Sequence, residues 1–147
     1  MVTSSYREDY LLRQIKALAV MLARIAGLRL GGNMEEARAQ LQIAYDSLFG
    51  PRGELLRGLD SRAAATLLGS PDAILALAQL TNEEAAQHGD AAYGAALRVR
   101  AAELGVEAAR RDRQNTAIRA FLAALAPEVD QEQLTPEHRQ FLAGLEP

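Results

Sequence analysis

Apolar residues recur at helical spacing from one end of the chain to the other, and glycine or polar breaks between them mark out a series of helices. The longest pattern runs from Ser5 to Leu30 with no Gly or Pro before Gly27. Leu11, Ile15, Leu18, Leu22 and Ile25 form its seam in alternating three- and four-residue steps, and Tyr10, Ala17, Met21 and Leu28 widen it. A helix apolar over so much of its circumference needs cover on more than one side, so the rest of the chain is expected to pack around it. Ser5 with Glu8 three residues on has the form of a capping box, and Gly31-Gly32 ends the helix. Asn33, matched by Glu36, opens a second helix through Ala37, Leu41, Ala44, Tyr45 and Leu48, stopped by Gly50-Pro51. The short connection predicts that the two lie antiparallel.

From Gly50 to Gly69 the glycines at 53, 58 and 69 allow only helices of one or two turns. Leu55, Leu56, Leu59, Leu67 and Leu68 would plug one end of the core. Ser70-Pro71-Asp72 starts a fourth helix through Ile74, Leu77, Leu80 and Ala85, ending at His88-Gly89. Asp90 caps a fifth through Val99, Ala102, Val106 and Ala109, and the polar run Arg111 to Thr116 predicts a break. Ile118, Phe121, Leu122 and Leu125 follow on a short helix stopped by Pro127, and Thr135-Pro136 starts a last one carrying Phe141, Leu142 and Leu145.

The two long hairpins share a weak repeat. Gly32-Asn33 is followed by Ala37, Leu41 and Ala44, and Gly89-Asp90 by Ala95, Val99 and Ala102, about 57 residues further on. This is the second-helix pattern of a tetratricopeptide hairpin, with residues 50–69 as an insertion. The expected fold is all-α: antiparallel helical hairpins stacked in a tetratricopeptide-like arrangement, with a short helical insertion and a C-terminal helix pair. Residues 1–111 read as the hairpin domain. Residues 112–147 read as a C-terminal attachment, either separable or packed on the same core.

Composition sharpens this picture. About a fifth of the 147 residues are alanine and only 5% are aromatic, which predicts closely spaced helices with thin interfaces. The net charge of −3 gives no global attraction to nucleic acid or acidic membranes. The absence of cysteine removes disulfides, thiolate metal sites and thiol nucleophiles, and fits a cytoplasmic protein. Arg7, Glu8 and Asp9 precede the first apolar run, so no signal peptide is expected. The run Ala17 to Ala23, closed by Lys16 and Arg24, is too short to span a bilayer.

Asp9-Tyr10-Leu11-Leu12-Arg13-Gln14-Ile15 before a long apolar helix, then Leu48-Phe49-Gly50 and Gly89-Asp90, carry a resemblance. From Tyr6 to Arg111 the chain resembles a family of uncharacterised bacterial all-helical proteins with an Asp-Tyr-apolar-apolar-Arg-x-Ile opening helix and tetratricopeptide-like hairpins. Arg98 and Val99 stand where that family usually has larger aromatics. The resemblance implies a fold and no activity.

Side chains capable of chemistry are sparse. His88 in a last helical turn and His138 in the first turn of the C-terminal helix read as surface residues, with no Glu-x-x-His or His-x3-His spacing to support a metal site. Glu8-Asp9 and Glu35-Glu36 fall in first helical turns, where negative charge suits the dipole. Glu83-Glu84 is adjacent in sequence; Glu103 and Glu107 lie one turn apart, and Glu107 with Arg111 reads as a surface ion pair. No catalytic residue, metal ligand or cofactor site is therefore expected, and the chain reads as non-enzymatic.

The arginines carry more information. Arg7, Arg13, Lys16 and Arg24 make the first helix basic, and Arg98, Arg100, Arg110, Arg111 and Arg113 do so for the fifth. Tyr6, Tyr10 and Arg13 lie at three- and four-residue steps, an aromatic-plus-arginine grouping common at protein interfaces. Leu12, Ala19, Val20 and Ala26 lie off the main seam, so a second copy of the chain is the expected cover. The reading is a protein–protein interaction or scaffolding protein, homodimeric, with Tyr6, Tyr10, Arg13, Val20 and Arg98 as interaction residues. The alternative is a small nucleic-acid or anion binder using arginines of the first and fifth helices; without interleaved aromatics, nucleic acid is the less expected partner.

Overall fold

Gly31, Gly32 and Asn33 decide the first hairpin. Gly32 has φ +86°, a left-handed conformation that glycine adopts without a Cβ clash. Its N–H donates to the Arg29 carbonyl and that of Asn33 to the Leu28 carbonyl, the paired bonds of a Schellman close. The computed structural model describes the backbone of residues 2–145 and the side chains of Tyr10 and of residues 12–145. Its helices are α1 (Val2–Leu30), α2 (Met34–Phe49), α3 (Arg52–Gly58), α4 (Ser61–Leu68), α5 (Pro71–Gln87), α6 (Ala91–Arg111), α7 (Thr116–Leu125) and α8 (Pro136–Gly144). Two 3-10 turns, Ala126–Glu128 and Gln131–Gln133, lie between α7 and α8. The fold is all-α, with no strand among the described residues, and its helix packing is that of helical hairpins. Among the described residues no helix is long and apolar enough to cross a membrane.

Most helix starts follow the expected capping chemistry. Asp60, Ser70, Asp90, Asn115 and Thr135 each accept a backbone N–H from the first turn of the helix they open. The break between the fifth helix and the next is present, with α6 ending at Arg111 and α7 starting after Asn115. Two starts differ. α1 begins at Val2, so Ser5 and Glu8 stand inside the helix; their side chains, like those of Tyr6 and Leu11, lie outside the described residues. Asn33 occupies the position before α2 but makes no side-chain cap bond, and Glu36 accepts from Gln40 instead (3.0 Å).

The chain divides into two compact units, residues 1–58 and 59–147. The first holds α1 packed on α2, and α3 packed on α2. Its buried residues include Leu18 and Ile25 of the predicted seam, with Ala37, Leu41, Ala44, Tyr45 and Phe49 of α2. Ile15 and Leu22 are half-buried. α1 has 29 residues and α2 has 16. Antiparallel pairing from the Gly31–Asn33 turn therefore leaves about 20 Å of α1 beyond the end of α2.

The second unit is organised around the α5–α6 hairpin, on which α4 packs; α7 and α8 pack on α6. Within the first unit α2 covers one side of α1. α1 leaves Tyr10, Leu12, Val20 and Leu30 exposed, whereas α5 is buried without interruption from Ala73 to Ala78. α5 carries no charged side chain between Asp72 and Glu83, whereas Arg13, Lys16 and Arg24 stand exposed on α1. The leucine plug also resolves differently. Leu56 is buried in the first unit, Leu55 and Leu67 are exposed, and α4 buries Ser61, Ala64 and Ala65 in the second.

Residues 112–147 supply much of the second unit's core. Ile118, Leu122, Leu125, Val129, Leu134 and Leu142 are all buried. Gly105 makes the approach of α7 to α6 possible, because a Cβ there would stand 2.7 Å from Leu122 Cδ2 and 3.2 Å from Phe121 Cε2. Gly105→Leu is therefore expected to cost about 2 kcal/mol through overpacking, although leucine is the better helix former. A fall in the urea midpoint with unchanged slope checks this, and an unchanged midpoint would mean that α7 yields freely.

Candidate functional site

Glu103 and Glu107 lie four residues apart on α6, so their side chains project from one face a turn apart. The first turn of α8 meets them. Thr135 caps that helix by accepting the His138 N–H on its hydroxyl (3.3 Å), and Pro136 occupies the first helical position. His138 thereby falls on the inner stripe of α8, one turn before the buried Leu142. The ring is 5% exposed and Glu107 1% exposed. Both readings as surface groups are corrected by this: His138 is interior, and Glu107, though paired with Arg111 as expected, is the most buried carboxylate described.

Each ring nitrogen faces a carboxylate. Nε2 lies 2.7 Å from Glu107 Oε2, and Nδ1 lies 3.2 Å from Glu103 Oε2 and 2.6 Å from Thr135 Oγ1. The carboxylates have further donors. The Ser61 hydroxyl at the start of α4 donates to Glu103 Oε1 (3.2 Å), and the Thr135 N–H reaches Glu103 Oε2 at 3.4 Å. Arg111 donates to Glu107 Oε1 (3.0 Å) and to the Glu107 carbonyl (2.9 Å). Arg62 Nε and Arg110 Nη1 stand 3.6 Å and 3.8 Å from Glu107 Oε2, and Arg62 also pairs with Glu137 at 2.6 Å. Among the described residues no buried side-chain polar atom lacks a partner.

The electrostatics follow from this geometry. Burial alone would raise both carboxylates. The hydrogen bond from His138 reverses that for each, helped by the Thr135 N–H and Ser61 at Glu103 and by Arg111 and Arg110 at Glu107, so both stay below the ordinary range. The Glu103 hydrogen bond raises His138 above its ordinary value of 6.5, against the opposing effect of burial and with Glu107 adding to it. A cation in a first helical turn is disfavoured by the helix dipole, and two carboxylates offset that here.

Chemically the cluster is closed. Its nitrogens point to two separate carboxylates rather than to one common point, and among the described residues no group of three or more His, Asp or Glu could hold a metal ion. A cavity of about 680 Å3 runs along Arg119, Leu122, Ala126, Leu142 and Leu145, and none of His138, Glu103 and Glu107 lines it.

The sequence-predicted interaction residues stand elsewhere. Tyr10, Arg13 and Val20 are exposed on α1, at 59% and 62% for Tyr10 and Val20. Tyr6 shares that helix, with its side chain outside the described residues. Arg98 is half-buried on α6, in the second unit, beside Gly94. A signal for the His138 cluster was present, since His138, Phe141, Leu142 and Leu145 follow the spacing of one apolar stripe. His88 remains exposed, stacked on Tyr93 with ring centroids 4.3 Å apart, and accepts the Asp90 N–H on Nδ1. No family model, curated protein or solved structure matches the chain.

Proposed function

We propose that the protein is a non-enzymatic interaction or scaffolding module whose working surface is the outward face of α1, and that its first partner is a second copy of itself. The observation that carries this reading is the exposed stripe Tyr10, Arg13, Ala17, Val20, Arg24 and Gly27, which repeats every three and four residues. Val20 stands at its middle, with exposed Ala17 and Ala23 a turn away on either side, and the exposed Leu12 and Leu30 lie near its ends. Small residues around one aliphatic side chain let a second helix come close, and Lys16 and Arg24 supply a polar rim.

The anion-binding alternative draws less support. Arg110 and Arg111 face Glu107, and Arg100 donates to the Leu59 carbonyl (2.7 Å), so these arginines of α6 are engaged within the second unit.

Light scattering on the purified chain at micromolar concentration is expected to give the mass of a dimer. Val20→Glu is expected to give a monomer of unchanged helical content, with stability altered by no more than about 0.5 kcal/mol because the site is exposed. A monomer mass for the unaltered chain, or a Val20→Glu dimer, would sink the proposal.

A further inference from the structure

The contact between α8 and the rest of the second unit includes the His138 ring, which bridges Glu103 and Glu107. The doubly protonated ring donates from both nitrogens and satisfies Glu103 and Glu107 together. A neutral ring has one N–H. Two features decide where it goes. Glu107 Oε2 at 2.7 Å is the closer carboxylate, and the Thr135 hydroxyl, 2.6 Å from Nδ1, can turn its proton toward a bare Nδ1. Glu103 then faces a nitrogen lone pair at 3.2 Å and keeps only Ser61 and the long Thr135 N–H bond.

We propose that His138 is the bolt of a latch holding α8 against α4 and α6, and that loss of its proton loosens α8 locally while α5 and α6 stay folded. The charged and titratable groups facing the ring come from three elements. α6 presents Glu103 and Glu107, with Arg110 and Arg111 behind Glu107. α4 presents Arg62 beside the hydroxyl of Ser61. The first turn of α8 adds Glu137, held by Arg62. The arginines stay charged throughout. The carboxylates, held below their ordinary 4.5, contribute fully above that value and lose their contribution only as pH falls through their depressed range. His138, held above its ordinary 6.5, contributes fully below 6.5 and loses its contribution as pH rises through its raised value. The latch is tightest between 4.5 and 6.5, and above 6.5 it loosens through His138.

Amide hydrogen exchange on the full chain from pH 6 to pH 9, corrected for intrinsic rates, tests this. Opening of α8, read at Gln140 to Ala143, is expected to become more frequent by about tenfold per pH unit above 6.5 until the closed ring itself loses its proton, with α5 amides unaffected. His138→Gln keeps a donor without a titration, so its α8 opening is expected to be more frequent and independent of pH. Ring 15N shifts give a second readout: an imidazolium at pH 6.5, becoming the Nε2–H tautomer as pH rises. Should His138→Gln fail to fold, Glu103→Gln is expected to lower the pH at which the ring deprotonates and to move α8 opening with it. Opening of α8 that is flat with pH, a slope shared by His138→Gln, a ring already neutral at pH 6.5, or a ring indifferent to Glu103→Gln would each overturn the proposal.

Discussion

Deletion of residues 112–147 is expected to abolish the folding of the second unit rather than trim an appendage from it. The deleted segment carries Ile118, Leu122, Leu125 and Leu142, each no more than 7% exposed. Burying an aliphatic side chain of that size contributes about 1.5–3 kcal/mol, so the four together contribute about 6–12 kcal/mol as an upper bound. The whole stability of a domain is about 5–15 kcal/mol. The deletion also strips the cover from α6 at Gly105 and leaves Glu103 and Glu107 without His138. The first unit has its own α1–α2 packing and can keep helical signal, so total ellipticity is a poor readout. Hydrogen exchange of peptides covering α5 and α6 is the decisive measurement: protection is expected to be lost in chain 1–111, and protection equal to that of the full chain would show that the tail is separable after all.

Glu107→Ala is expected to be the most damaging single substitution in the cluster, at about 3–5 kcal/mol. The residue is 1% exposed, and four cations stand around its carboxylate: His138 at 2.7 Å, Arg111 at 3.0 Å, Arg62 at 3.6 Å and Arg110 at 3.8 Å. Alanine leaves the buried imidazolium with one carboxylate and a void beside it. The gain in helix propensity, a few tenths of a kcal/mol, does not offset this. Glu107→Gln keeps the shape and an acceptor while removing the charge, so its cost is expected to be nearer about 1–3 kcal/mol. Urea unfolding followed at the second unit separates the two. Equal costs would assign the effect to the lost charge alone, and an Ala cost under about 1 kcal/mol would mean that water replaces the carboxylate.

What the sequence by itself determined is local. Helix caps such as Ser70, Asp90 and Thr135, the proline starts at 71 and 136, and the break after Arg111 are written in residues whose partners lie within four positions. The all-α class follows from those signals and from apolar spacing, since no alternating pattern competes with them. Two of the four described residues of the α1 seam, Leu18 and Ile25, are buried, so that face was partly legible in the same way. What only the tertiary structure decided are pairings between residues far apart in the chain. His138 and Glu107 are 31 positions apart, and nothing in either neighbourhood names the other. Each is an ordinary exposed polar residue by type, and burial became affordable only because Arg111, Arg62 and Glu103 came with it. The same holds for Gly105, which reads as a weak point in a helix until Leu122 is placed against it. It holds also for the helix that ends up enclosed. Apolar spacing identifies faces that need cover, but which face receives it depends on how many neighbours the fold can bring there, and α5 gained them from α4 and α6 within the second unit.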